Sequence, residues 1–203
     1  MILRSSPPSP FGRKVKIALS VLGLSDRVSI EVADTSNPAD SLRGQNPLGK
    51  IPTLILDDGT TLYDSRVIVE YLDWLAGGGK ILPPPGPARF AVLRAQALAD
   101  GIMDASILRI YETRFREEAR REPKWLDHQA GKVDRGLAQL EATAMSYASG
   151  ATPDLGEIAL ACALGYLDLR FSGEWRAAHP RLVAWLDGFA AATPAFEATR
   201  VKG

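Results

Sequence analysis

The segment NPLGKIPTL, residues 46–54, decides how the first half of this chain folds. Pro52 stands directly ahead of the β-prone run TLIL, and a sheet tolerates proline only at the first residue of a strand, at an edge or at a bulge. The Ile51–Pro52 bond is also a place where a cis peptide costs little. A cis bond would turn the N–H and C=O of Ile51 outward to pair with an extended peptide ligand. A plain turn before a strand is the alternative.

Strand and helix patterns flank this segment on both sides. The motif DDG at 57–59 separates two β-rich runs and predicts a hairpin, and a helical stripe then begins after the Asp-Ser pair at 64–65. The run VSIEV at 28–32 alternates apolar and polar residues, which predicts a strand with one buried face. Two Asn-Pro pairs and two glycines in 35–49 predict an irregular loop with at most a short helix.

The first helix is predicted from its start. A short β-like run opens the chain, and Ser9-Pro10 then matches the preference for a serine N-cap followed by proline at the first helical position. Apolar residues follow at helical spacing, and a glycine stands where a left-handed C-terminal residue is needed. We therefore expect a helix over 10–22, with Arg13 and Lys16 on its polar face.

Composition changes sharply at GGGKILPPPGP, residues 77–87, which holds four glycines and four prolines. This composition predicts a linker between two domains, 1–76 and 88–203. The first domain follows the order β-α-β, loop, β-β-α, which is typical of a mixed sheet with helices packed on it. The second shows only helical periodicity. Its expected helices cover 88–121, 124–148, 154–170 and 180–192.

Charge and cysteine content exclude several classes of function. Lys+Arg and Asp+Glu are 24 each, so no net field draws the chain to nucleic acid or anionic lipid. The first residues lack the apolar core of a signal peptide, and the most apolar stretch, 158–165, is far shorter than the roughly 20 residues of a membrane span. We therefore expect a cytoplasmic protein. A single cysteine, Cys162, and two distant histidines provide no disulfide, no CxxC pair and no cluster for a metal centre.

Two predicted helix starts carry polar side chains that suit a small charged ligand. Asp64 and Ser65 can cap free N–H groups, but a helix N-terminus also holds a carboxylate, and a neighbouring Asp can take an ammonium group. Together they suit the zwitterionic head of an amino acid. Ser9 can direct its hydroxyl and nearby N–H groups at an anion such as a thiolate. Capping alone is the structural alternative at both places.

The order of these motifs carries a family resemblance. The succession of SPFGRKVKIAL, NPLGKIPTL, LYDSRVIVEYL, a Gly/Pro linker and an all-helical second half resembles the cytosolic glutathione transferases over nearly the whole chain. The resemblance implies an α/β thioredoxin-like N-terminal domain of order βαβ-ββα and an all-α helical-bundle C-terminal domain. It also implies that glutathione lies along the first domain with its thiol at the interdomain cleft.

The same resemblance assigns roles to individual residues. Ser9 is the catalytic serine that stabilises the glutathione thiolate, although Ser5 and Ser6 lie near the same helix start and remain alternatives. Many relatives carry Glu or Gln where this chain has Asp64. No cysteine precedes Pro10, which argues against the classes that form a mixed disulfide with glutathione. The residues assigned to glutathione binding are Lys50, Ile51 with the cis-proline Pro52, Asp64 and Ser65.

The implied function is therefore transfer of glutathione to a small hydrophobic electrophile held by the helical domain, in a homodimer that uses glutathione as co-substrate and no cofactor or metal. A glutathione-dependent peroxidase, dehalogenase or isomerase, or a non-catalytic glutathione-binding or regulatory protein, are the alternatives on the same scaffold. The stripe Met103, Ile107, Tyr111 is expected to be core, or else to line the electrophile cleft. Asp154 and Glu157 predict a capping box.

Overall fold

The computed structural model describes residues 1–144, 147, 150 and 152–201. Its first half is a four-stranded sheet in the order β2-β1-β3-β4. β1 pairs with β2 in parallel and with β3 in antiparallel orientation, and β4 is antiparallel to β3, so the predicted mixed sheet is confirmed. The strands are β1 (Ile2–Ser5), β2 (Ser29–Val32), β3 (Thr53–Ile55) and β4 (Thr61–Leu62).

The helices follow the predicted order. The sheet half contains α1 (Pro10–Val21), α2 (Leu42–Gln45) and α3 (Ser65–Leu75). The other half contains α4 (Pro87–Phe115), α5 (Pro123–Thr143), α6 (Leu155–Arg170), α7 (Pro180–Ala192) and α8 (Pro194–Ala198). The all-helical second half is confirmed, with α4 shorter than expected and α8 unpredicted. Residues 145, 146 and 148, at the predicted end of the fifth helix, lie outside the described residues. Among the helices that are described, none has the length and apolar content of a membrane span.

The prediction that the second strand buries one face is wrong. β2 is an edge strand whose four residues are all exposed, with Ile30 at 54% and Val32 at 71% relative exposure. Alternation of apolar and polar residues reports the pleat of a strand and not whether another layer covers it. The strand itself was therefore predictable from the sequence, whereas its environment was not.

The predicted polar face of α1 is wrong at Arg13, whereas Lys16 is half-buried. Val15, Ala18 and Leu19 are buried as expected, but Arg13 is buried too. The reason is that α1 packs against α3 on one side and against α4, α6 and α8 on others, so it has little solvent face. The Arg13 cation must therefore find its partners inside the protein.

The linker at 77–87 is a packed connection. The carboxylate of Asp73, near the end of α3, accepts hydrogen bonds from the N–H groups of residues 79–81 at 2.8–3.0 Å. Ile81 and Leu82 are buried, and the C=O of Ile81 accepts the N–H of Leu155 at the start of α6. One continuous cluster of buried apolar residues extends through both halves. The two halves are therefore held in a fixed relation at this point.

Candidate active site

Ser9 is the N-cap of α1. Its Oγ accepts a hydrogen bond from the N–H of Gly12 at 3.0 Å, and its backbone is extended, as an N-cap requires. A serine hydroxyl has two acceptor lone pairs and one donor hydrogen. Capping uses one lone pair and leaves the hydrogen free for an anion at the helix end. The capping role and the anion-binding role predicted from the sequence are thus compatible.

The neighbouring serines are placed differently. Ser5, the last residue of β1, is buried beneath α1, and a Cβ added at Gly12 would lie 2.1 Å from its Oγ. Gly12 is therefore the residue that allows the helix start to approach the strand this closely. Ser6 is half-buried, and its C=O accepts the N–H of Ser9 at 3.2 Å. Burial thus argues against Ser5, and Ser9 is the serine that caps the helix.

The loop before β3 is built around Asn46. Its side-chain Nδ2 donates to the C=O of Lys50 at 2.9 Å and to Oγ1 of Thr53 at 3.2 Å, and its Oδ1 accepts the N–H of Leu48. The Ile51–Pro52 peptide bond within this loop is cis. Neither the N–H nor the C=O of Ile51 forms a hydrogen bond with any residue that the structure describes. The loop thus presents an unpaired backbone segment whose ends are fixed from inside.

Asp64 and Ser65 begin α3. Asp64 is the N-cap, and its Oδ1 accepts the N–H of Arg66 at 2.9 Å; the Tyr63–Asp64 bond is cis as well. Ser65 is buried, and within the described part of the chain its hydroxyl has no hydrogen-bond partner. The carboxylate of Asp64 is exposed and keeps one oxygen available. These two side chains therefore have the capacity to hold a further polar group.

Two carboxylates of α4 face this region, and the sequence analysis missed both. Asp100 is fully buried and binds Nζ of Lys14 at 2.7 Å and Nε of Arg66 at 2.9 Å. Partial burial and the nearby Asp100 raise the pKa of the Asp104 carboxyl, whereas the charges of Arg66 and Lys50 oppose that rise. The available signal was an acidic pair at helical spacing in the otherwise apolar stretch ADGIMDA, residues 99–105.

The predicted site residues fall into two groups. In the first group the predicted Lys50 and Asp64, together with Arg66, which the sequence did not indicate, exert their charges on Asp104. Ser9 lines a separate cavity of about 340 Å³, bounded by the loop before α1, by α6 and α7 and by the chain after α8. Of the predicted stripe on α4, Met103 is fully buried core, and neither Ile107 nor Tyr111 lines this cavity. The buried pair of Lys14 and Asp100 joins α1, which Ser9 begins, to α4, which carries Asp104.

Both halves of the chain match models of one protein family. The model for the glutathione S-transferase N-terminal domain matches residues 3–80, and the model for the C-terminal domain matches residues 123–188. The uncharacterized GST-like protein YibF of Escherichia coli (strain K12) is 34% identical over 185 residues, which are 90% of this chain and 90% of that protein. The chain belongs to the glutathione S-transferase family. The family resemblance in the motifs is confirmed.

Solved structures of other glutathione S-transferase family members have the same fold. A glutathione transferase family member from Pseudomonas fluorescens Pf-5, with bound glutathione, has a TM-score of 0.89 and 41% identity over 100% of this chain and 99% of that chain. A second structure from the same organism, with bound S-(propanoic acid)-glutathione, has a TM-score of 0.86 and 42% identity over the whole of both chains. The thioredoxin-like and helical domains inferred from the motifs are thereby confirmed.

Cys162, the single cysteine of this family member, lies in α6 and is fully buried. Burial raises the pKa of its thiol to about 12, an effect that the Arg13 and Lys14 charges only partly offset. A thiol in that state is a poor nucleophile at neutral pH. This environment is that of a residue that serves the packing of α6.

Proposed function

We propose that this chain is a glutathione transferase in which Ser9 stabilises the glutathione thiolate for attack on an electrophilic co-substrate. The observation that carries the proposal is the Ser9 hydroxyl, which accepts one N–H at the start of α1, keeps its own hydrogen and borders a cavity. Family membership supports a role in glutathione transfer. The glutathione bound in the related Pseudomonas fluorescens protein supports the choice of ligand.

The magnitudes are sufficient without a general base. A free thiol has a pKa of about 8.5, and lowering it by roughly 2 units needs about 2.7 kcal/mol of differential stabilisation of the anion. A hydrogen bond to a charged acceptor contributes about 1.5–3 kcal/mol, and a helix N-terminus adds about 0.3–1 kcal/mol. Ser9 and the N–H groups of α1 together can therefore keep the thiol ionised near neutral pH.

The remainder of glutathione would lie along the sheet domain. The unpaired N–H and C=O of Ile51 suit antiparallel pairing with the cysteinyl backbone, and the exposed Lys50 suits the glycyl carboxylate. Asp64 and Ser65 suit the γ-glutamyl ammonium and carboxylate, with Asp104 as a second carboxylate near the ammonium. The protein then contributes binding, orientation and thiolate stabilisation, and needs glutathione only as co-substrate.

Retention on immobilised glutathione, followed by conjugation of a chlorodinitrobenzene, tests the proposal. Retention with turnover supports a transferase. Retention with no turnover on aryl halides, hydroperoxides, haloalkanes and isomerisable substrates would instead favour the non-catalytic binding protein, and turnover on only one of the last three classes would assign that reaction. Failure to bind glutathione at all would contradict both the glutathione transferase and the non-catalytic glutathione-binding protein.

Asn46→Ala is expected to raise the Kd for glutathione about tenfold, with kcat changed less. The substitution removes the donors that hold the C=O of Lys50 and the hydroxyl of Thr53, so the Ile51 backbone loses its fixed position. Stability should fall by about 1–3 kcal/mol, because the Thr53 hydroxyl loses its donor and the C=O of Lys50 then keeps only that hydroxyl as a donor among the described residues. Titration calorimetry and urea unfolding measure the two effects.

The matched control at this position is Asn46→Asp. It keeps the oxygen that accepts the N–H of Leu48 but places a second oxygen against the C=O of Lys50. It should therefore weaken glutathione binding at least as much as alanine does. An unchanged Kd in both variants would remove Asn46 from its positioning role.

We also propose that the protein is a homodimer. Val67 and Trp74 on α3 and Phe90 at the start of α4 are exposed apolar side chains, and an ion pair between Glu70 and Arg89 joins these two helices beside them. An apolar area of this kind is typical of a surface that another chain covers. Sedimentation velocity would measure the mass in solution. A cytoplasmic location stays a prediction.

A further inference from the structure

The cavity beside Ser9 is lined by both apolar and charged side chains. Its volume of about 340 Å³ lies within the range of small-molecule sites. Pro7, Pro8, Leu186 and Phe196 contribute apolar surface. Three cations and three carboxylates also line it, so their formal charges cancel. These charged residues are Arg13, Arg176, Arg200, Asp168, Asp187 and Glu197.

Four of the six charges are already paired within the protein. Nη2 of Arg176 binds Asp168 at 2.6 Å, and Nη1 of Arg200 binds Glu197 at 3.2 Å. Asp187 has no ion pair among the described residues, but it is exposed and therefore hydrated. Arg13 is the remaining charge, and its relative exposure is only 8%. Within the described chain, Arg13 is therefore the one of these six charges that is both buried and without an ion-pair partner, and it is a cation.

The Arg13 guanidinium has neutral partners only. Its Nε donates to Oγ1 of Thr199 at 3.2 Å, and its Nη2 donates to the C=O of Phe196 at 2.6 Å. The Phe196 ring centroid lies 4.0 Å from the guanidinium carbon. No carboxylate within the described residues lies within ion-pair distance, and burial lowers the pKa of Arg13, which the more distant charges of Glu197 and Asp168 only partly oppose. An isolated buried charge is costly, and an anion beside it would offset that cost.

One nitrogen of this guanidinium is available to a ligand. Nη1 of Arg13 forms no hydrogen bond to the part of the chain that the structure describes. It lies against α6 at Gly165, where a Cβ would be only 2.4 Å away, so the absence of a side chain at this helical position admits the guanidinium. Nη1 therefore offers donors at the cavity wall that Ser9 also borders.

We propose that this cavity holds the electrophilic co-substrate and that Nη1 of Arg13 binds a carboxylate on it. The substrate class is then a small electrophile with an apolar body and one carboxylate, in place of the small hydrophobic electrophile expected from the sequence. The inference rests on the proposed function, because the sulfur must be held at Ser9 to reach the cavity. Charge-assisted binding of a carboxylate by arginine is strong and directional.

The chemical step for an aryl chloride of this class is a substitution. The glutathione thiolate attacks the ring carbon that carries chlorine, the C–S bond forms, and the C–Cl bond then breaks with chloride leaving with its electron pair. The thiol proton has already passed to solvent. The carboxylate takes no part in the bond changes, so it serves only for binding and orientation.

The experiment compares 4-chloro-3,5-dinitrobenzoate with 4-chloro-3,5-dinitrobenzamide, which have similar size and differ in charge. Each kcat/KM is divided by the uncatalysed rate constant with glutathione, which removes the difference in intrinsic reactivity. The normalised ratio of benzoate to benzamide is expected to be about ten or more, the range of one charge-assisted hydrogen bond. In Arg13→Gln the ratio should fall to about one.

Two matched substitutions separate binding of the carboxylate from the structural contacts of Arg13 with α8. Arg13→Lys keeps the charge but loses the planar guanidinium with its paired N–H donors, so it should retain part of the preference for the benzoate. Lys16→Gln removes the same charge one turn along α1, from a side chain that does not line the cavity, and should keep the wild-type ratio. An equal fall of this ratio in Lys16→Gln would overturn the assignment, because the overall positive charge of α1 would then explain the preference for the benzoate.

The wild-type protein alone can decide the matter if the Arg13 variants fail to fold. A normalised ratio near one, or a preference for the benzamide, overturns the carboxylate assignment and leaves the proposed function standing. Conjugation of neither compound overturns the proposed function and the inference together. A crystal structure with the S-aryl glutathione product should place the carboxylate within hydrogen-bond distance of Nη1, and a carboxylate elsewhere contradicts the proposal.

Discussion

Ser9→Ala is expected to raise the kinetic pKa of bound glutathione by about 1–2 units, the equivalent of one hydrogen bond to a charged acceptor. The substitution removes the hydroxyl hydrogen that the thiolate would accept but leaves the Ile51 backbone and the Asp64 side chain in place. Below both pKa values the thiolate fraction and kcat/KM should fall about tenfold to a hundredfold. Above both values the two proteins should converge. A pH profile of kcat/KM measures the shift, and Kd for glutathione should change only a few fold.

Capping provides the control for this prediction. Alanine at Ser9 also removes the acceptor for the N–H of Gly12 and should cost about 1 kcal/mol of stability, whereas glycine at an N-cap costs only a few tenths. Ser9→Gly should therefore show the same kinetic pKa as Ser9→Ala with less loss of stability. Ser6→Ala should leave the profile unchanged. Wild-type activity in Ser9→Ala at low pH would transfer the role to another serine or to the backbone.

Asp100→Asn is expected to lower the free energy of unfolding by about 3–5 kcal/mol. Lys14 and Asp100 are both at 0% exposure, and the Asp100 carboxylate is the only hydrogen-bond partner that Nζ of Lys14 has among the described residues. Neutralising Asp100 leaves a buried ammonium without a counter-ion. Lys14→Met should cost less, because Asp100 then still has Arg66.

A double-mutant cycle separates the pair from the packing around it. Lys14→Met with Asp100→Asn should lose at least about 1 kcal/mol less than the sum of the single variants, because neither charge remains unpaired in the core. Arg66→Gln is the matched control, since the Arg66 side chain is half exposed and its loss should cost about 1 kcal/mol or less. Urea unfolding followed by tryptophan fluorescence gives all four values. A loss under 1 kcal/mol in Asp100→Asn would contradict the prediction.

Features set by neighbouring residues were predictable from the sequence. Gly23 adopts φ of 68° directly after the first helix, as the C-terminal signal requires. The hairpin between β3 and β4 forms where DDG stands, and Asp154 and Glu157 form the predicted capping box. Each of these depends on backbone geometry within a few residues, so no knowledge of the tertiary structure is needed.

Features set by distant residues were not predictable in this way. The exposed β2 and the buried Arg13 both depend on which elements pack around them, and the sequence pattern of one element carries no such information. The same difference between local and distant causes separates the residues of the candidate site. Ser9 and Asp64 were found because they begin helices, whereas Asp100 acts on Lys14, a partner 86 residues away that the chain brings to it only on folding.

The hydrogen bonds between the Asp73 carboxylate and the N–H groups of residues 79–81 determine where a chimaera of this chain and another family member could be joined. A junction inside the Gly/Pro-rich segment would take the carboxylate from one parent and the backbone that it holds from the other, with Ile81 and Leu82 facing a foreign core. A junction before Asp73 or after Leu82 keeps the Asp73 carboxylate, the N–H groups that it binds and the buried Ile81 and Leu82 side chains in sequence from the same parent. Although its composition is typical of a linker, the segment 77–87 is thus the least suitable place to exchange one domain for that of a relative.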